Sequence, residues 1–357
     1  MTVALAWLAA EAHALDRGSA DEELLLPRLG DAGVFHAGVP VEFGGAGGDV
    51  RDAINVISNI AEYSLTAALV AWGQRTQIEY FLQSPNHGLR ERWFPTFLNG
   101  THAGATGLSN AMKFLGGIEK LQIEASPLNE GWRLDGKLPW VTNLRKNGFV
   151  VAAAVELPGA QPFVAALPHD KAGLVRSDDL ELLALRGSNT AAITVEDVAI
   201  TTDDIIHSDA RSYLPRVRPA FLGLQCGLSI GLARASLNAA REQGAQTRLA
   251  LASRIDAVER ELGDAVQVLH DGLATNRFIG DAISLFRIRI HLAEIVHAAV
   301  ALELEASGGR AYLLEHNADF SRRWNEAAFI PVVTPSLSQL HGELQKHAAK
   351  TAESVAA

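Results

Sequence analysis

The chain has 357 residues, of which 48% are hydrophobic and 20% charged, a composition typical of a soluble globular protein with more than one sub-domain. Its net charge of −10 excludes a protein that binds nucleic acid or anionic membranes through a basic face. The single cysteine, Cys226, excludes an intramolecular disulfide, so we expect a cytoplasmic protein.

The N-terminal region, residues 1–102, has the periodicity of a helical domain. Its first 18 residues are apolar but lack a basic n-region and a cleavage site, so they predict an amphipathic helix. No window approaches the roughly 20 uncharged apolar residues of a membrane span. The glycine-rich stretch "FGGAGGD" (residues 43–49) joins two predicted helices and lacks the strand and spacing of a dinucleotide fingerprint, so we interpret it as a tight turn.

The middle region, residues 103–210, has the pattern of a small β-domain. The pair Asp135–Gly136 in "GWRLDGKLPWVTN" predicts a hairpin turn, because both residues tolerate positive φ. The stretches "FVVAAAVEL", "PFVAALP" and "TAAITVEDVAI" then predict strands separated by turn residues.

The C-terminal region, residues 211–357, returns to helical periodicity and predicts a bundle. One apolar stripe recurs at spacings of three and four, namely at Ile255, Val258, Leu262, Val266, Leu269 and Leu273. Within this region Pro331 and Pro335 interrupt the helical pattern in "NEAAFIPVVTPSLSQL". The fold class is therefore α+β, mainly α, with a helical domain, a β-domain and a helical bundle in that order.

Isolated reactive residues give no site by themselves. The Glu294–His297 pair has the spacing of one half of a di-iron motif, but no second copy exists, so we expect no metal site. Cys226 lies on an apolar helical stretch and is expected to be a buried, inert thiol. His102, His270 and His341 could each act in proton transfer, although a lone histidine is more often structural.

The segment "LPWVTN" offers a different chemistry. Trp140 and Thr142 have the same strand parity and so point to one face. An indole beside a hydroxyl suits a planar heterocycle, and a core tryptophan is the alternative interpretation.

The motifs together resemble the acyl-CoA dehydrogenase superfamily along nearly the whole chain. The resemblance is carried, in order, by "GLRERWFPTFLNGTHAGATGLSN", "GWRLDGKLPWVTN", "FVAALPHDKAGLVRSDDLELLALRGSNTAAITVEDVAI", "RVRPAFLGLQCGLSIGLARASL" and "ASGGRAYLLEHNADFSRRWNEAAF". It implies a helical domain, a middle β-domain and a C-terminal four-helix bundle, assembled as a homotetramer. It also implies FAD, with FMN as an alternative, in a crevice between the β-domain and the bundle.

The resemblance assigns flavin contacts to particular residues. Thr106, Leu108 and Ser109 match the family's contacts to the pyrimidine edge of the flavin. Trp140 and Thr142 match the residues that flank the isoalloxazine ring.

Further positions can be compared with the family's cofactor-binding segments. Gly308 and Gly309 match a segment that approaches the dinucleotide of a neighbouring subunit, and Thr334 keeps the register of a threonine near the flavin. Arg241 and "QGAQTR" do not reproduce the stretch that holds the partner's FAD.

The two positions where the family carries its catalytic glutamate, Val332 and Val217, are both valine here. A valine cannot abstract the α-proton of an acyl thioester. The resemblance therefore favours the superfamily's branch of two-component monooxygenases, which oxidise a small organic substrate with O2 and flavin reduced by a reductase.

Two alternatives remain open. One is dehydrogenation of an acyl-CoA or carrier-bound acyl thioester with a displaced base and an electron-transfer flavoprotein as partner. The other is a non-catalytic subunit that pairs with an active paralogue.

Overall fold

The N-terminal region consists of helices that surround one buried helix. A computed structural model describes residues 2–244, 249–313 and 317–356. The helices in this region are α1 Thr2–Arg17, α2 Glu22–Asp31, α3 Val50–Ala61, α4 Leu65–Leu82 and α5 His87–Leu98. Helix α4 is buried on nearly every side, and its buried polar side chains Gln74 and Arg75 donate to backbone carbonyls of neighbouring segments.

The glycine-rich stretch before α3 is a turn, as predicted. Gly44, Gly47 and Gly48 all have positive φ, which glycine adopts without steric cost. The turn ends at Asp49, whose side chain accepts from the first turn of α3 while Asp52 bonds back to the Asp49 backbone N–H.

A twisted sheet forms the middle of the molecule. Its described strands are β1 Ala103–Thr106, β2 Ile123–Pro127, β3 Trp132–Val141, β4 Phe149–Glu156, β5 Phe163–Pro168, β6 Leu174–Asp179, β7 Ala191–Ile200 and β8 Ile205–His207. They lie in the order β6-β7-β3-β2-β4-β5-β8, and β1 pairs in parallel with β4. The three strands predicted from "FVVAAAVEL", "PFVAALP" and "TAAITVEDVAI" are confirmed as β4, β5 and β7.

The hairpin predicted at Asp135–Gly136 is wrong. Strand β3 runs through this pair without reversing, and its pairing with β7 shifts register between Leu134 and Gly136. Gly136 has φ +146°, and a Cβ there would lie 2.1 Å from the carbonyl oxygen of Gln122 on the approach to β2. The register shift is a bulge whose extra residue lies on β7, where Glu196 and Asp197 oppose Asp135 and Asp197 has φ +55°. The missing Cβ of Gly136 allows the close approach of Gln122.

The C-terminal helices pack around one long central helix. They are α7 Ala210–Gly244, α8 Leu249–Ala274, α9 Arg277–Gly280, α10 Ala282–Ser307, α11 Ala318–Ala327 and α12 Leu337–Ala356, and a short helix α6, Ser109–Leu115, lies earlier between β1 and β2. Helix α7 packs against α10, α8 and α3. Its most apolar stretch is long enough to cross a membrane, but 94% of that stretch is buried within the fold, as expected for a core helix.

The arrangement of helical region, sheet and bundle agrees with the predicted α+β fold class. The predicted break at 325–340 is confirmed, because α11 ends at Ala327 and α12 begins at Leu337. The turns between these two helices face the end of β3, and this junction contains the candidate site.

Candidate active site

A cavity of about 600 Å³ lies where the sheet meets the helices. Such a volume is typical of a site for a small organic ligand or a cofactor. The end of β3, the start of α6, the loop before β7, the middle of α4 and the α11–α12 turns all contribute to its wall. Its apolar wall residues are Leu69, Trp72, Trp140, Leu182, Leu183, Ala184, Leu185, Ala328, Phe329, Val332 and Val333.

Five of the predicted cofactor residues lie together on this wall. They are Thr106, Ser109, Trp140, Thr142 and Thr334, which come from three separate stretches of the chain. Trp140 is 60% exposed although it is large and apolar, and its exposed surface faces the cavity. A planar apolar ligand would cover that indole.

The other three predicted cofactor residues are not on the cavity wall. Leu108 is fully buried beneath it, and its backbone N–H points at the Thr106 hydroxyl oxygen at 3.4 Å. Gly308 and Gly309 lie after the end of α10, where a Cβ would meet open space. The role assigned to these glycines concerns a neighbouring subunit and stays a prediction.

The hydroxyl of Thr106 is oriented by a buried tyrosine that the sequence did not indicate. Tyr80 on α4 is fully buried, and its phenolic oxygen lies 2.9 Å from Thr106 Oγ1. Burial raises the pKa of Tyr80, so the phenol keeps its proton. A buried O–H without an acceptor costs about 1–3 kcal/mol, so Tyr80 donates to Thr106. The Thr106 hydrogen is therefore left to donate to an acceptor in the cavity.

A second set of hydroxyls lies near the end of β3. Thr142 Oγ1 is 3.1 Å from Thr190 Oγ1, which is 2.8 Å from the buried Ser188 Oγ. The adjoining wall includes Leu185, a non-glycine residue with φ +63°. The buried Asp16 carboxylate accepts from the Leu185 backbone N–H at 2.8 Å and holds this unusual conformation.

The backbone of the turns between α11 and α12 is hydrogen-bonded to a buried arginine on α10. Arg289 on α10 donates from Nη2 to the Ile330 carbonyl at 2.7 Å and from Nε to Gln225 Oε1 at 2.9 Å. Gln225 in turn donates to the Thr334 carbonyl at 3.1 Å. Complete burial lowers the pKa of Arg289. The position of Thr334 in the cavity wall therefore depends on a polar network in the bundle core.

The cavity wall offers no proton acceptor of the expected kind. Among the described residues that line it there is no aspartate, glutamate or histidine. Val332 lies on the wall and is 61% exposed, whereas Val217 is fully buried in α7 and away from it. Among the wall residues that the structure describes, the one ionisable side chain is Lys113, whose ammonium donates to Glu119 at 2.8 Å.

A buried carboxylate lies just behind the wall, and both of its oxygens already accept hydrogen bonds. Glu326 follows the wall residue Asn325 and is completely buried. Both of its oxygens accept from Arg322 Nη1 at 2.9 Å, and Oε1 also accepts from the Leu65 backbone N–H at 3.2 Å. It therefore stabilises the start of α4 and does not face the cavity.

The remaining candidates from the sequence lie elsewhere. Cys226 is fully buried, and burial raises the pKa of its thiol to about 12. His102 packs against Trp93, and burial lowers its pKa, as it does for His270. None of these residues, and not His341, lines the cavity.

The Glu294–His297 motif also forms no metal centre. Its glutamate lies 3.6 Å from His291 on the surface. Within residues 2–244, 249–313 and 317–356, no three His, Cys, Asp or Glu side chains are grouped to hold a metal ion.

Arg241, near the end of α7, is paired with acidic residues of its own chain. Arg241 forms ion pairs with Asp256, at 2.9 Å, and with Glu259, both on α8 of the same chain. Residues 245–248, the rest of the "QGAQTR" stretch, lie outside the described residues.

The comparisons with known proteins agree with this fold. Residues 4–101 match the family model described as acyl-CoA dehydrogenase, N-terminal domain. The chain is 26% identical over 210 residues to mitochondrial isovaleryl-CoA dehydrogenase of Pongo abelii, which covers 56% of this chain and 49% of that protein. The chain thus spans about half the length of the curated relatives that it matches.

Two solved structures, of proteins with different activities, have the same fold as this chain. Butyryl-CoA dehydrogenase from Megasphaera elsdenii has a TM-score of 0.82 at 16% identity, covering 96% of this chain and 94% of that one. Dibenzothiophene monooxygenase from a Paenibacillus species has a TM-score of 0.76 at 15% identity, covering 95% and 93%. The matched N-terminal region, the relatives and the shared fold lead to one conclusion: residues 4–101 are similar to the acyl-CoA dehydrogenase N-terminal domain, and the chain has the fold of the acyl-CoA dehydrogenases.

Proposed function

We propose that this protein is a flavin-dependent oxidoreductase and that it oxygenates a small organic substrate with O2. The observation that carries the proposal is the cavity itself, which combines an exposed indole and hydroxyl donors with a wall that has no carboxylate or imidazole among its described residues. A planar flavin ring fits beside Trp140, and hydrogen-bond acceptors on its edge fit the hydroxyls of Thr106 and Thr142.

The cofactor would supply the electrons and this chain would supply the environment. Reduced flavin, regenerated by a separate reductase, gives two electrons and two protons, so that one oxygen atom enters the substrate and the other leaves as water. Val332, Phe329 and Leu183 present apolar surface to the space next to the indole, and a flavin and substrate bound against this surface would exclude water from it. The Thr106 hydroxyl, oriented by Tyr80, binds and positions the ring edge.

The test uses purified protein loaded with FAD or FMN and reduced anaerobically. On mixing with oxygenated buffer, we expect the bound flavin to release hydrogen peroxide more slowly than free reduced flavin, because the apolar wall limits access of water. A panel of small organic compounds is then screened for products that carry one 18O atom from 18O2. Peroxide release at the rate of free flavin, with no labelled product, would contradict the proposal.

A second candidate function is dehydrogenation of an acyl thioester. The names of the curated relatives favour it, since they are acyl-CoA dehydrogenases. It requires a proton acceptor, and Glu326, a buried carboxylate just behind the wall, is occupied by Arg322 and a backbone N–H. Bleaching of the bound flavin by an acyl-CoA without oxygen would support this candidate against ours.

A non-catalytic subunit is the third candidate. The observation in its favour is that Arg241 is paired within its own chain. Failure of the purified protein to take up either FAD or FMN would support it.

A further inference from the structure

A second, smaller cavity adjoins the first. It measures about 50 Å³ and lies between α6, α7 and α12. Lys113 and Gln339 line both cavities, so the two cavities adjoin at these side chains. The smaller cavity has room for a few water molecules or for one small polar group of a ligand that extends from the main cavity.

Arg218 on α7 gives this smaller cavity an unmatched positive charge. Its Nε is buried and has no hydrogen-bond partner, and no carboxylate among the described residues lies within 4.0 Å of the guanidinium. The guanidinium carbon lies 5.6 Å from the centre of the Phe286 ring. Burial also lowers the pKa of Arg218. A half-buried cation without a hydrogen-bond partner gains more free energy on binding an anion than a solvated cation does.

The other charged groups around the smaller cavity are already paired. Lys113 donates to Glu119 at 2.8 Å, and Glu343 accepts from Lys346 at 2.8 Å. Glu343 also lines the cavity and attracts Arg218 at longer range. These two pairs cancel, so Arg218 leaves the smaller cavity with one excess positive charge.

We propose that Arg218 binds an anionic oxygen group, a carboxylate or a phosphate, of a substrate whose apolar body lies in the main cavity. This inference rests on the proposed function, because it places the reacting part of the substrate against the flavin in the main cavity and its charged end beyond Lys113. The planar guanidinium suits such a group, since it can donate two parallel hydrogen bonds. The substrate class is thus a small apolar acid or phosphate ester.

The experiment compares ligands of one shape that differ in charge. Flavin-loaded protein is studied by equilibrium dialysis with 1-naphthylacetate, 1-naphthyl phosphate and the neutral 1-naphthylacetamide. We expect one or both anions to bind about tenfold more tightly than the amide, as one charge-assisted contact gives. The variant Arg218→Met should lose this preference and still bind the amide within about twofold, and Arg218→Lys should keep part of it.

The matched control is Arg211→Met. Arg211 lies on the same helix, seven positions earlier, over the Phe114 ring, and it does not line the smaller cavity. We expect this variant to keep the full preference. Equal binding of anions and amide by the wild type, no binding of the anions, or an unchanged preference in Arg218→Met would each overturn the proposal. Flavin content and peroxide release are measured on the same samples, so failure of the proposed function is seen separately.

Discussion

The hydrogen bond between Tyr80 and Thr106 predicts a specific pattern of flavin affinity and stability. Thr106→Val removes the donor that faces the cavity, and it also leaves the buried Tyr80 hydroxyl without an acceptor. The lost donor should weaken flavin binding about two- to tenfold, which corresponds to about 0.5–1.5 kcal/mol for one hydrogen bond. The orphaned phenol should lower the free energy of unfolding by about 1–3 kcal/mol.

Tyr80→Phe affects the two quantities differently. It removes the partner but leaves no unpaired buried hydrogen, so we expect a loss of about 1 kcal/mol in the free energy of unfolding. The Thr106 hydroxyl is then free to rotate, and flavin should bind more weakly than to the wild type but more tightly than to Thr106→Val. The double variant should be less destabilised than the sum of the single variants, because the phenol that was orphaned is gone.

Flavin fluorescence titration measures the affinities, and urea unfolding of the flavin-free proteins measures the stabilities. Thr106→Ser is the control, since it keeps a hydroxyl at the same position, and we expect it to bind flavin nearly as the wild type does. Wild-type affinity in Thr106→Val, or strictly additive losses of stability in the double variant, would refute the reasoning.

Three further changes test other parts of the molecule. Gln225→Met breaks the hydrogen bonds to Arg289 and to the α11–α12 turns, so it should lower the free energy of unfolding, measured in urea, by about 2–4 kcal/mol. The exposed control Gln267→Met should change this free energy by less than about 0.5 kcal/mol. Equal stabilities of the two variants would contradict the proposed hydrogen-bond network. Cys226, whose pKa burial raises to about 12, should not react with a disulfide reagent at pH 8 until the protein is unfolded, and a fast native reaction would show that the helix core is open. Val332→Glu should permit anaerobic bleaching of bound flavin by acyl-CoA. Val332→Gln, whose side chain has a similar shape but no basic group, should not. Bleaching of both variants, or of neither, would show that this wall position does not face the reacting carbon.

The sequence predicted those parts of the fold that depend on local periodicity. The apolar stripe of α8 is buried at Ile255, Leu262 and Leu269, as its spacing indicated. The proline-rich break before α12 was likewise visible, since proline acts on its own neighbourhood. The Asp135–Gly136 pair misled because the glycine allows the close approach of Gln122 before β2 and not a reversal of the chain, and only the pairing of β3 with both β2 and β7 shows this.

The interior of the site depends on contacts between residues distant in the chain. Tyr80 and Thr106 are 26 residues apart, and Gln225 is 109 residues from Thr334. One signal was present, because Gln225 and Arg289 are polar residues inside apolar helical stretches and each needs a buried partner. Which partner each one finds depends on how the helices pack, and a single sequence does not fix that packing.

The central claim is that the described residues of the cavity wall include no base able to remove the α-proton of an acyl thioester. Its most direct test is to saturate the wild-type protein with flavin and to add butyryl-CoA, isovaleryl-CoA and octanoyl-CoA in turn without oxygen. The account predicts that the main visible absorption band of the flavin stays unchanged with each of them. Rapid loss of that band with any of the three would contradict it.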